Sequence, residues 1–458
     1  MNAEYPTRKL ADFVVSLRLD SVPEPTRQRA KELIFDAFAC ALAGHHGEET
    51  AQVADLARSL GASREATVIG GEPLSLAGAT ILNGYLITAV TACDVHRPTN
   101  CHIDPEIVPP ALAISERDHA SGADFLLAAI KGFEIATRVG VALDPAPFRE
   151  RGWHAPGVIG PFGGAAAVAS LRKLNVDQTV SAFGLAGSQS AGTFAAWGTP
   201  TVKFHQCRGA LSGLLAGLLA EQGFKASPEI LVSPDGGLLS SYSNGGKPEL
   251  ITAELGERWE LEQIALRNWP GASPFHCLLA ALFEGVERFD VTLARVEKIR
   301  VAVSPATYAM HGGFDRPVGK FESLLSIHYV VAVALRDRDC WLDQFAPDHY
   351  ENPELLRFAR EQVEVVADPS LSGPTAELTI TLRDGTRQNL RRDVPKGDPR
   401  DRLSHSELEA KLRKGADGRI SASDQNALIE RLWTLESVTS VQELLRHCTG
   451  AFQTGGSQ

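Results

Sequence analysis

The 458-residue sequence lacks most features that would place it in a large, easily named class of protein. It has no basic arm or polybasic run. Asp and Glu outnumber Lys and Arg 56 to 45, giving a formal net charge of −11, which argues against a nucleic-acid partner. An acidic chain can still bind an anion if it gathers a few cations locally. Long hydrophobic runs are missing too: the most apolar windows, around 79–92 and 210–220, are too short and interrupted for a bilayer, so no membrane partner is expected. The start, "MNAEYPTRKLADFVVSLRL", carries acidic residues early and no apolar core with a small-residue cleavage site, so it does not read as a signal peptide. The seven cysteines (40, 93, 101, 207, 277, 340 and 448) are odd in number and show no framework spacing, which favours free thiols in a reducing cytoplasm. Neither GxGxxG nor GxxxxGK[ST] occurs, and "GPFGGAAA" has glycines without the spacing or the lysine, so no nucleotide cofactor is expected.

What is present is the composition of a soluble globular protein, 44% hydrophobic and 22% charged, at a length that suggests two domains. The first 265 or so residues read mostly as helices. "TRQRAKELIFDAFACALAG" offers Thr26 as N-cap, apolar residues at 30, 33, 34, 37, 38 and 42, and Gly44 as terminator. "SLAGATILNGYLITAVTAC" is apolar on nearly every face, the mark of a buried helix. Further helices are expected at 106–116, 122–139, 163–173, 176–192 and 207–223, with the small residues of 163–167 allowing close approach. The pattern changes after "RNWPGASPFH". Val296–Val303 alternates as a strand does, and "AELTITLRDGTRQNLRRDV" places two alternating runs around Asp384-Gly385, a hairpin cue. The helices "ESLLSIHYVVAVAL" and "NPELLRFAREQV" lie between them, and helices at 405–415, 422–434 and 440–448 close the chain.

Four polar islands interrupt apolar or glycine-rich surroundings. "CDVHRPTNCH", residues 93–102, admits three readings. Cys93, His96, Cys101 and His102 have the donor atoms of a zinc site, although adjacent Cys101 and His102 rarely face one ion. Asp94 beside His96 and His102 could tune imidazoles for proton transfer at the edge of a core. The same residues could simply cap a helix end. "RGWHAPGVIGPFGG" sets His154 before a helix start able to receive an anion. "GTPTVKFHQCRGALSGLLAGLLA" sets Lys203, His205 and Arg208 at the edge of an apolar helix, a natural carboxylate clamp. "WPGASPFHCLLAALF" sets His276 at the start of another. The near-elbow "GSQSAG" around Ser190 has a glycine on one side only and reads as small-residue packing rather than a serine nucleophile.

In order along the chain, "RAKELIFDAFACALAG", "ILNGYLITAVTACDVH", "GWHAPGVIGPFGGAAAVASLRKL", "VKFHQCRGALSGLLAGLLA" and "SIHYVVAVALRD" resemble the MmgE/PrpD family over nearly the whole sequence. The resemblance implies a mainly α fold: a large helical domain from both chain ends (1–266 and 401–458) with a smaller α+β domain (267–400) inserted. It also implies a homodimer, an active site in a cleft between the domains, and action on a small di- or tricarboxylate without cofactor or metal. Carried over by position, it makes Asp94, His102, His154, Lys203, His276 and, less securely, Tyr308 the catalytic candidates. His96, Arg208 and Lys203 are the residues for substrate binding. Many relatives read Asp-Asp-Thr where this chain has Cys93-Asp94-Val95, and Glu-Ala-Lys-Phe-Ser where it has "ESLLS", with Leu324 at the lysine position. Dehydration must protonate a leaving hydroxide, whereas epimerisation needs only removal and return of an α-proton. The expectation is therefore an epimerase of the iminodisuccinate type. The alternatives are a hydro-lyase or decarboxylase acting on 2-methylcitrate or cis-aconitate, and a non-catalytic, metal-holding or scaffolding relative.

Overall fold

The expectation of a mainly α protein holds in the computed structural model, which describes residues 5–449. By internal contacts the chain divides into two units: residues 1–89, 93–265 and 405–458, and residues 90–92 with 266–404.

The first unit is built around the helix Glu24–Gly44, whose residues from Arg29 onward are all buried. Thr26 lies inside this helix rather than capping it, and its hydroxyl donates to Glu262. The all-apolar segment forms the helix Leu76–Ala89, which packs on Glu24–Gly44, on Asp104–Arg117 and on Thr201–Glu221. Backbone contact between helices depends on glycine. A Cβ on Gly44 would sit 2.1 Å from the Leu86 carbonyl oxygen, and one on Gly213 would sit 2.7 Å from the Cα of Gly164. A buried pair, Lys411 with Asp36, ties the late helix His405–Ala416 to the same central helix.

Two helices start earlier than the sequence pattern predicts: Ala155–Leu171 rather than 163, and Thr201–Glu221 rather than 207. The first carries Pro161 inside it, which cannot donate to the Gly157 carbonyl. That freed oxygen accepts instead from Arg208 Nη2 at 2.9 Å and from the Ala191 N–H at 3.0 Å. A proline that reads as a helix breaker thus becomes an anchor point for a neighbouring helix and a loop.

The second unit holds a four-stranded sheet in the order Val363–Ala367, Val296–Val303, Ala376–Leu382, Arg387–Arg392. The first pairing is parallel and the other two antiparallel. Ala376–Leu382 alternates buried and half-buried residues, and the hairpin turns at Gly385, whose φ of +86° suits the residue. The helix Phe275–Phe289 packs on the last two strands and against Ile327–Asp337. Among the described residues no helix is long and apolar enough to cross a membrane. All seven cysteines are buried free thiols.

Candidate active site

The loop after the buried helix decides among the three readings of residues 93–102. The Asp94 carboxylate accepts the backbone N–H of Ile103 at 2.8 Å and of Asp104 at 3.1 Å, so it caps the start of the helix Asp104–Arg117. His102 Nδ1 lies 2.6 Å from the Asp94 carbonyl oxygen and 3.7 Å from Cys93 Sγ. A carbonyl can only accept, so the ring donates from Nδ1 and the neutral imidazole carries its lone pair on Nε2. Asp94 therefore holds the helix start with its side chain and fixes the His102 tautomer with its backbone.

Cys93, Asp94 and His102 place one ligand atom each within 4.8 Å of the others, the nearest approach to a metal set among the described residues. Here the Asp94 oxygens accept backbone N–H groups and His102 Nδ1 donates to a backbone carbonyl, while Cys93 Sγ faces the His102 ring. The four-residue zinc set does not converge: Cys101 Sγ donates to the His102 carbonyl at 3.2 Å, and burial pushes its thiol pKa well up. His96 is fully buried, with Nδ1 2.8 Å from Thr99 Oγ1 and Nε2 3.7 Å from Glu260. Burial lowers its pKa against the pull of Glu260.

His154 is the N-cap residue of Ala155–Leu171, and its N–H donates to the Gly192 carbonyl at 2.9 Å. Its Nδ1 lies 3.1 Å from Nδ1 of His205, on the helix Thr201–Glu221. Burial, then His205 and Arg149, push His154 down to about 3, and burial followed by Arg208 lowers His205. Both rings are neutral near pH 7. The partnership was not legible in the sequence, which showed His205 only as one of three neighbouring cations.

Arg208 Nη1 donates to the Gln189 carbonyl at 2.9 Å and to Ser212 Oγ at 3.2 Å; Nη2 donates to the carbonyls of Gly157 and Ala191 at 2.9 and 2.8 Å. Its guanidinium clamps the loop 189–192 to the start of Ala155–Leu171.

Lys203, in the first turn of Thr201–Glu221, is 8% exposed, and its ammonium lies 3.4 Å from Glu49 Oε2. Tyr85 donates its hydroxyl to the same oxygen. Burial alone would raise the Glu49 carboxyl, but the Tyr85 hydrogen bond and the Lys203 charge outweigh it and hold the pKa below its usual value. The chain thus shows that this position accepts a carboxylate.

Two further acids escaped the sequence reading because they look like ordinary first-turn acids of a helix. Asp104 and Glu106 are fully buried, and none of their carboxyl oxygens has a hydrogen-bond partner among the described residues. Burial, then Asp94, raises both well above the usual range. Glu106 lies against Gly160 so closely that a Cβ there would fall 2.1 Å from its carboxyl carbon.

His276 and Tyr308 belong to the second unit. His276 is buried in the first turn of Phe275–Phe289, with its ring centroid 5.6 Å from that of Trp269. Tyr308 is 39% exposed on the short helix Pro305–His311. Leu324 is buried.

The first unit therefore offers an imidazole oriented by Asp94, a neutral imidazole pair, and an ammonium already holding a carboxylate. That set can move protons and bind an acid. Residues 8–251 match the MmgE/PrpD N-terminal domain and residues 269–436 the MmgE/PrpD C-terminal domain. A cis-aconitate decarboxylase-like protein, oryM, of Aspergillus oryzae is 29% identical over 472 residues, covering 97% of each chain. The cis-aconitate decarboxylase of Aspergillus terreus is 29% identical over 377 residues, 78% of this chain and 77% of its own. That of Mus musculus is 25% identical over 463 residues, 96% and 93% respectively.

Proposed function

The chain belongs to the MmgE/PrpD family, and on that premise we propose that it is a lyase that decarboxylates a small unsaturated tricarboxylate of the cis-aconitate class. The observation that carries this reading is the buried Lys203 ammonium holding a carboxylate, in a unit where burial keeps His154 and His205 uncharged and the Asp94 carbonyl orients His102. Lys203 binds one substrate carboxylate in the place of Glu49. Its charge then offsets the electron density left on the remaining acid as the bond to CO₂ breaks. An imidazole N–H delivers the proton that closes the carbon, with His154 as donor, while His102, whose Nδ1–H is held by the Asp94 carbonyl, presents Nε2 as an acceptor. Asp94 acts by holding His102. His276 and Tyr308 enter the proposal as proton carriers on the family resemblance, as does the homodimer.

The epimerase expectation rested on an acid and a hydroxyl missing at Cys93 and Val95. The acid that does remain in that loop is used to cap a helix, so changes beside it say little about which reaction is run. Incubation with cis-aconitate in D₂O, followed by NMR and CO₂ detection, tests the reading. Release of CO₂ with one deuterium per product molecule is the expected result. Deuterium exchange with all three carboxylates retained returns the epimerase; neither outcome sinks both.

A further inference from the structure

His154 alone is a poor proton carrier. A base held down near 3 must take on a charge in a buried place, beside the Arg149 guanidinium, to accept a proton at neutral pH. His205 faces the same difficulty, with Arg208 as the neighbouring cation. Each ring is 9% exposed, and neither Nε2 has a hydrogen-bond partner among the described residues. Their two Nδ1 atoms meet at 3.1 Å, a hydrogen-bond distance that requires one proton shared between two lone pairs. The rings must then be opposite tautomers: the one with Nδ1–H has a bare Nε2, and the other has a bare Nδ1 and Nε2–H.

We propose that His154 and His205 form a two-ring proton relay, with His205 connecting the substrate-side imidazole to solvent. The inference rests on the proposed function. In delivery, His154 Nε2–H gives its proton to the substrate carbon. The Nδ1–H of His205 crosses to Nδ1 of His154, and His205 Nε2 takes a proton from water. One proton enters and one leaves, so neither ring holds a net charge at the start or end. The reverse passage, fed from water at His154 Nε2 after product leaves, resets the pair. The relay thus removes the charge that burial, Arg149 and Arg208 oppose.

The surroundings fix the geometry such a transfer needs. The His154 N–H is held by the Gly192 carbonyl, the Phe194 N–H by the Gly152 carbonyl at 2.7 Å, and the loop between by Arg208. Gly192, at φ +142°, lies flat against the His205 ring: a Cβ there would be 3.1 Å from Nδ1. Arg149 stacks on Phe194, whose ring is edge-on to His154.

The test uses full-length protein and the variants His205→Asn and His205→Phe. Asn keeps a polar group near the Nδ1 position but cannot pass a proton onward; Phe keeps the ring volume. In ¹⁵N-histidine-labelled wild type without substrate, the expected spectrum shows one ring protonated at Nδ1 and its partner bare there. Two Nε2–H tautomers overturn the relay whatever the activity. With cis-aconitate, His205→Asn is expected to lower kcat on the order of 100-fold with KM within about twofold. Rates in H₂O/D₂O mixtures should change from a curved dependence, two protons in flight, to a linear one. A positioning role would leave His205→Asn near wild type and damage only His205→Phe, and that outcome overturns the relay. If wild type turns over no polycarboxylate, the functional reading fails and the ¹⁵N spectrum decides the shared proton by itself.

Discussion

The low pKa of His154 makes a prediction about stability that needs no substrate. Unfolded, its imidazole titrates near 6.5; folded, it resists protonation down to about 3, because burial, His205 and Arg149 all oppose the charge. The unfolded chain therefore binds this proton first. The sign follows: stability is complete above about 6.5 and is lost as pH falls toward 3. At pH 5 the unfolded ring is almost wholly protonated and the folded one almost wholly neutral, a difference worth about 2 kcal/mol; at full protonation in both states it approaches about 5 kcal/mol. His45, pushed to about 4 chiefly by burial, adds a parallel slope of its own in the same unit. Replacing His154 by Asn removes only the first contribution. Urea denaturation followed by helical circular dichroism, at pH 8 and pH 5, should show the variant losing about 2 kcal/mol less than wild type between the two. The variant's stability at pH 8 does not enter, because the comparison is of slopes. Parallel losses in the two proteins would mean that His154 is not held neutral, and the reasoning behind the relay would fall with it.

Lys203→Ala, with the fold intact by circular dichroism, should lower kcat/KM for the tricarboxylate roughly 10- to 150-fold, the loss of a charge-assisted hydrogen bond of about 1.5–3 kcal/mol; unchanged kinetics remove Lys203 from the site. Arg208→Gln should cost stability, read as a lower denaturation midpoint, while KM stays near wild type, since its guanidinium holds backbone carbonyls; a raised KM with unchanged stability restores it as a substrate ligand. Lys411→Met leaves Asp36 buried without its ammonium and should cost about 3–5 kcal/mol. Adding Asp36→Asn should recover much of that loss, and no recovery would mean the cost is one of packing rather than charge.

The parts of the fold that were legible are those set by local pattern. The all-apolar run became Leu76–Ala89, alternation gave Val296–Val303, and Asp384-Gly385 gave the hairpin turn. The strand Val363–Ala367 was not read at all, because it follows Pro353–Gln362 without a break and its pairing partner, Val296–Val303, lies far back in the sequence. The late start assigned to Ala155–Leu171 has a definite cause. Gly and Pro from 156 to 164 look like a loop until Arg208 and Ala191 satisfy the carbonyl that Pro161 leaves free. The same is true of the site. Lys203 and His154 stand out as polar groups in apolar company. The roles of Arg208, His96 and His205 depend on partners as distant in the sequence as Gln189, Glu260 and His154, which no local pattern contains.

Those partners also bear on how a chain of net charge −11 would hold a polyanion. On the proposed reading, a tricarboxylate entering this unit finds few fixed negative charges near the groups that act on it. Asp104 and Glu106 are held toward their protonated forms by burial and by Asp94. The Asp94 carboxylate is covered by two backbone amides. Glu49, half-buried, is bound to Lys203, and on this reading it gives way when a substrate carboxylate takes its place. The cation that would otherwise compete, Arg208, is neutralised by carbonyl dipoles rather than by an acid. Binding then depends on exchanging one carboxylate for another at Lys203, a step that keeps the buried ammonium paired throughout. The proton is left to the imidazoles, because carboxyl groups without hydrogen-bond partners, enclosed against Gly160 as Glu106 is, have no path to hand theirs on. The division of labour follows from burial: the unit holds Asp104 and Glu106 toward neutrality, its cation paired and the His154–His205 pair uncharged, so on this reading a trianion meets attraction at one point and little repulsion elsewhere.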